Sequence, residues 1–170
     1  GNLAVRAGPE QLLRAALGAN VELEQTTQVP NEEVTVQVMV EGDSLTRTVQ
    51  RDLVARFTVP SGKHVYATPA PEGTIAVDIK LDAHDGLGSR AIVRPQGEPH
   101  KLVGTDEVFD VHHGTFELRL PLTVNSFAGG ELNVSGEVVW QSCDDEICDI
   151  PAKQKFEMTL PVLESPAVAL

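Results

Sequence analysis

Aromatic side chains are scarce in this chain, at 4% of residues, and tryptophan occurs once, at position 140. Basic residues are few as well: 13 Lys and Arg stand against 25 Asp and Glu, a formal charge of −12. Such a surface repels nucleic acid and anionic lipid, so neither is expected as a partner. No apolar run approaches the roughly 20 residues that cross a bilayer as a helix, and no membrane insertion by this chain is expected. Cysteine is scarcer still, with two in 170 residues, which excludes a disulfide-dense scaffold.

What is present is enough for a core. Apolar residues make up 41% of the chain, too many for a disordered acidic tail, and the length suits one domain or a domain with an appendage. The convincing helical pattern lies near the start: Pro9 suits a first turn, Gly18 a C-cap, and Leu12, Leu13, Ala16 and Leu17 share one face. Residues 1–30 therefore read as a strand–helix appendage. They either cap the main domain or, since the segment also resembles the closing β–α part of a thioredoxin-fold redoxin, are the remnant of a preceding redoxin domain. The chain begins at Gly1 rather than Met, and no targeting segment is visible.

From Val34 the pattern changes to alternation and short apolar runs. Strands are expected at Val34–Val40, Leu53–Val59, Ile75–Leu81, Thr115–Val124, Glu131–Trp140 and Lys153–Val162, with weaker ones at Leu45–Val49, Ala91–Val93 and Glu107–Val111. Glu41-Gly42-Asp43 suits a hairpin joining the first strand to Leu45–Val49. The segment from Asp82 to Glu107 is the least regular. The expected fold is all-β, an immunoglobulin-like antiparallel sandwich over residues 31–165 with a short tail at 166–170. The Cys…Trp…Cys order of antibody domains is absent, because both cysteines follow Trp140.

Cys143 and Cys148 are separated by only four residues, between two expected strands. A bridge over so small a loop gains only about 2 kcal/mol of chain entropy, which leans towards chemistry rather than a staple. Asp144, Asp145, Glu146 and Asp149 crowd the pair, and no Lys or Arg follows before Lys153. Counted along the chain, these charges disfavour thiolates and hold both sulfurs at or above the ordinary thiol range. A base or a docking partner then has to supply activation.

The segment V-V-W-Q-S-C-D-D-E-I-C-D-I-P resembles the cysteine motif of the N-terminal periplasmic domain of the DsbD family. F-T-V-P-S-G-K-H-V-Y and F-E-L-R-L-P-L-T-V resemble two further strands of that domain, so the likeness spans roughly Leu53 to Val162. The resemblance implies a module that relays electrons from a thioredoxin-fold protein or domain to oxidised extracytoplasmic thiol proteins, the chemistry that also serves cytochrome c biogenesis, in the periplasm or another extracytoplasmic space. It implies Cys143 and Cys148 as the redox pair. It places His64 and Tyr66 beside the disulfide, and Asp106, Glu107 and Phe109 near the family's acidic residues and aromatic cap. Val108 stands where the aromatic is expected, which leaves Phe109 for that role. Asp106 and Glu107 are the expected proton-transfer groups, and Cys143 is the expected sulfur to trap a partner.

Other readings stay open. His64 lines the site or faces solvent from an ordinary strand. His112 and His113, with His100 and His84, suggest metal, but neighbours on a strand point to opposite faces. They are expected to be exposed polar residues, and no metal or other cofactor is expected. Trp140 is expected in the core. The rival function is an immunoglobulin-like interaction module whose Cys143–Cys148 bridge is merely structural.

Overall fold

The computed structural model describes residues 33–125 and 129–164; the appendage expected over residues 1–30 and the tail over 166–170 lie outside them. The first six strands are β1 (Thr35–Val40), β2 (Leu45–Thr46), β3 (Arg51–Val59), β4 (His64–Tyr66), β5 (Asp78–Leu81) and β6 (Leu87–Ser89). They are followed by β7 (Glu98–Lys101), β8 (Val108–His112), β9 (Gly114–Val124), β10 (Glu131–Trp140), β11 (Ser142–Cys143) and β12 (Ala152–Leu163). Three sheets result, ordered β1-β3-β9-β6, β2-β12-β10-β5 and β11-β4-β8-β7.

The first two sheets face each other across one core, and alternation in the long strands decides which side chains enter it. In β10, Leu132, Val134 and Val138 are buried while Glu131, Asn133 and Ser135 turn away or lie at the edge. From the opposite sheet come Leu53, Ala55 and Phe57 of β3 and Leu118, Leu120 and Leu122 of β9. Phe57 is fully buried at the centre, stacked on Phe116 at 4.9 Å and meeting Trp140 edge-on at 6.0 Å. Trp140 is thus a core residue, as expected. Gly136 lets β5 approach β10, since a Cβ there would collide with the Lys80 carbonyl and crowd the Phe156 ring.

Several local expectations are corrected. Glu41–Asp43 forms a 3-10 turn rather than a hairpin, with positive φ at Gly42 and Asp43. It sends the chain away from β1, which pairs with β3, while Leu45 and Thr46 lie parallel to Val162 and Leu163 of β12. Val49 only bridges back to Thr46, so no strand runs from 45 to 49. Ala91–Val93 forms a single bridge, Val93 to Arg119, and the strand expected from Ile75 starts at Asp78. The irregular Asp82–Glu107 segment holds β6 and β7, both short.

The third sheet carries the conspicuous polar burial. His112 was expected to be exposed, yet it is only 5% accessible, stacked on Phe116 at 4.5 Å, while His113 next to it is exposed. Burial, and then the nearby Arg94 guanidinium, hold the His112 imidazole below the usual histidine range. Above about pH 6.5 the ring is neutral in both states and costs nothing. Below it the unfolded chain takes up a proton that the folded chain refuses, so stability is lost as pH falls towards the folded value, by at most about 1.4 kcal/mol per pH unit for one group. The unfolding midpoint should therefore be lower at pH 5 than at pH 7.5, and His112→Phe should flatten that slope. Calorimetric scans across this range check it; an identical slope in the variant would show that His112 is not the group refusing the proton.

Candidate functional site

Trp140 ends β10 inside the core, and the chain turns at Gln141 into β11, which pairs with β4 so that Cys143 faces His64 and Ser142 faces Val65. Gln141 fixes this turn from within. It is buried, its Oε1 accepts from the Ile75 amide at 3.0 Å, and its Nε2 donates to the Asp149 carbonyl at 3.0 Å. One side chain thus ties both ends of the cysteine loop to the segment leading into β5.

The loop itself is a tight hairpin. Asp144 N–H donates to the Ile147 carbonyl at 2.9 Å and Asp149 N–H to the Ser142 carbonyl at 2.8 Å. These two bonds bracket Cys143 and Cys148, which therefore form a non-hydrogen-bonded cross-strand pair, the closer of the two antiparallel pairings. Their Cα atoms are 4.0 Å apart and the sulfurs are joined as a disulfide. Asp144 Oδ1 accepts from the amides of Glu146 and Ile147 at 2.8 and 2.7 Å, which closes the turn and holds its carboxyl below the usual range.

The two sulfurs have unequal surroundings. Cys143 is 1% accessible and packs with Tyr66 and Val111, against which Ala70 and Phe109 lean. Cys148 is exposed, as are its apolar neighbours Ile147 and Ile150. In the disulfide form the accessible sulfur-bearing residue is thus Cys148, whereas Cys143 was the one expected to trap a partner.

His64, Tyr66 and Phe109 come together around Cys143. His64 and Tyr66 are both buried, edge-on at 5.3 Å, and Phe109 meets Tyr66 edge-on at 6.4 Å. The solvent-facing alternative for His64 thus fails. Burial, then the neighbouring His100, keep the His64 imidazole below its usual range, and burial raises the Tyr66 phenol. Asp106 and Glu107 are placed differently. Both are exposed at the tip of the β7–β8 hairpin, with Asp106 3.5 Å from Lys101. Among the described residues no hydrogen bond or ion pair joins either side chain to the cysteine loop.

The acidic crowding read along the chain is weaker in space. Lys63, in the turn before β4, reaches Asp149 at 3.1 Å, Asp145 lies 3.8 Å from His100, and Asp144 is occupied by backbone amides. The pairings of Lys63 with Asp149 and of His100 with Asp145 are not legible in the sequence, because the partners lie far apart along the chain. Gln141 belongs to the cysteine motif, but its two hydrogen bonds emerge only in the fold.

A family model described as "Thiol:disulfide interchange protein DsbD, N-terminal" matches residues 24–160. The chain belongs to the DsbD N-terminal family. Among solved structures, it is similar to the Neisseria meningitidis DsbD N-terminal domain in the reduced form, with a TM-score of 0.50 and 19% identity over 74% of this chain and 85% of that one. This likeness accords with an immunoglobulin-like sandwich. The N-terminal periplasmic domain of ScsB from Proteus mirabilis gives a TM-score of 0.48 and 14% identity over 82% of this chain and 49% of that one. No curated protein sequence matches. Membership in the DsbD N-terminal family implies thiol–disulfide interchange, and the Cys143–Cys148 pair at bonding distance is the group equipped for it.

Proposed function

We propose that this DsbD N-terminal domain passes reducing equivalents from a thioredoxin-fold donor to oxidised extracytoplasmic thiol proteins through Cys143 and Cys148, in the periplasm or an equivalent space. The observation that carries the reading is the asymmetric burial of the disulfide, with one sulfur open and the other enclosed. A donor thiolate attacks the exposed Cys148 sulfur, forms a mixed disulfide there, and expels Cys143 as the leaving thiolate. Enclosed between Tyr66 and Val111, that thiolate is costly until protonated. The donor's second thiol then attacks its own sulfur in the mixed disulfide, releasing the dithiol domain and an oxidised donor. Relay to a substrate runs the same steps in the opposite sense.

The surroundings of Cys148 support a protein partner. Ile147 is 68% and Ile150 86% accessible, one on either side of Cys148 along the chain. Two exposed isoleucines beside an exposed sulfur, edged by acids, suit a partner surface that is apolar around its attacking cysteine and basic at its margin. Phe109 serves as the cap that restricts approach to the buried partner sulfur. Asp106 and Glu107 are the proton-transfer residues only if the tip of the hairpin is brought over the site by the docked partner.

The test is equilibration of the oxidised domain with a thioredoxin-fold donor of known potential, following alkylatable thiols by mass. Reversible reduction with a potential within the range of such donors, above about −300 mV, is expected. Resistance to the donor, with a lower potential, would favour the interaction module with a structural bridge.

A further inference from the structure

Three groups that the exchange reading does not use converge beside the disulfide. His64 of β4, His100 of β7 and Asp145 of the cysteine loop each offer one ligand atom, and those atoms all lie within 4.8 Å of one another. The imidazoles are 4.3 Å apart between ring centres, and His100 Nε2 is 3.8 Å from Asp145 Oδ1. The three stand on separate elements up to 81 residues apart in sequence, so no local turn accounts for their meeting.

A second observation is independent of that convergence. His64 is only 6% accessible, and its Nε2 has no hydrogen-bond partner. Buried polar atoms are nearly always paired, and an orphan asks for something that pairs it. The cluster borders a cleft of about 540 Å³ whose walls also include Lys63 and His113. Both already have partners, Lys63 in Asp149 at 3.1 Å and His113 in Glu98 at 3.1 Å.

We propose that His64, His100 and Asp145 bind a divalent ion of the zinc type. Two imidazoles with one carboxylate form an N2O set that suits zinc and leaves a fourth position open, whereas Mg²⁺ and Ca²⁺ require oxygen-rich cages. Bonds of about 2.0–2.1 Å set tetrahedral ligand atoms about 3.4 Å apart. The exposed Asp145 and partly exposed His100 therefore close from within 4.8 Å to that spacing around the buried His64. The bound ion joins β4, β7 and the cysteine loop, which fastens the β7–β8 hairpin to the disulfide loop. The site does not depend on electron relay, and the oxidised chain contains no thiol to compete for the metal.

Calorimetric titration of the oxidised full chain with zinc chloride in a non-chelating buffer tests this directly. One equivalent is expected to bind, with no uptake of Mg²⁺ or Ca²⁺. Loss of even an outer partner of a metal ligand weakens binding 10–100-fold, so His100→Ala and, separately, Asp145→Asn should each weaken it at least about tenfold. Both positions lie away from the core, and His84→Ala should bind as the wild type does. Hydrogen–deuterium exchange supplies the second readout: zinc should slow exchange in residues 98–101 and 144–147 together. No uptake, binding unchanged in His100→Ala and Asp145→Asn, or zinc uptake without protection in either segment would overturn the assignment. None of these outcomes bears on whether the disulfide exchanges with a donor.

Discussion

Cys143→Ser is expected to capture a thioredoxin-fold partner through Cys148, and Cys148→Ser is expected to capture it at least about tenfold more slowly. Exchange requires a thiolate to approach a sulfur in line with its S–S bond, so access decides which sulfur reacts. Cys148 projects from the hairpin among exposed Ile147 and Ile150, whereas Cys143 is enclosed by Tyr66 and Val111. In the measurement, the single remaining thiol of each variant is activated as its thionitrobenzoate disulfide. A donor carrying only its attacking cysteine is then added, and release of thionitrobenzoate is followed by absorbance. Equal rates, or a faster Cys148→Ser variant, would mean that the loop opens before attack and that the resting burial of Cys143 is irrelevant. Failure of both variants to react while both stay folded would instead remove the exchange function and leave the docking module.

The long strands were legible because period two survives over many residues. Leu53–Val59, Thr115–Val124 and Glu131–Trp140 all lie within or coincide with β3, β9 and β10, and Lys153–Val162 lies inside β12. The short strands carry no such period. Glu98–Lys101 contains Pro99 and buries little, so β7 exists through its pairing with β8 rather than through its own pattern. The cysteines were legible by their spacing, and His64, Tyr66 and Phe109 by family likeness. The electrostatics were not, because charges were summed along the chain. Lys63 neutralises Asp149 across 86 residues, and His100 meets Asp145 through a register that only the folded third sheet defines. Charges on a hairpin act on whatever faces them, and sequence distance is a poor guide to that.

The other large effect is expected in the core beneath the site. Phe57→Ala should lower stability by about 3–5 kcal/mol, which for a domain of this size is a fall of roughly 10–20 °C in Tm. Phe57 is fully buried and stacks on Phe116, which carries the His112 ring on its other contact, while Trp140 closes on Phe57 edge-on. Truncation therefore leaves a cavity between the two sheets and strips two aromatic partners of a neighbour. Phe57→Leu, which refills most of the volume, should cost less than half as much. Reducing Cys143–Cys148 should cost less than Phe57→Ala, because the bridge closes only a tiny loop and its chain-entropy gain is about 2 kcal/mol. Guanidinium unfolding of wild type, Phe57→Ala, Phe57→Leu and the reduced wild type ranks the three effects in one experiment. If reduction destabilised the domain as much as Phe57→Ala, the disulfide would be a structural staple. Such a bond would be poorly suited to being broken and remade, whereas a core held together by Phe57, Phe116 and Trp140 leaves the sulfurs at liberty to turn over.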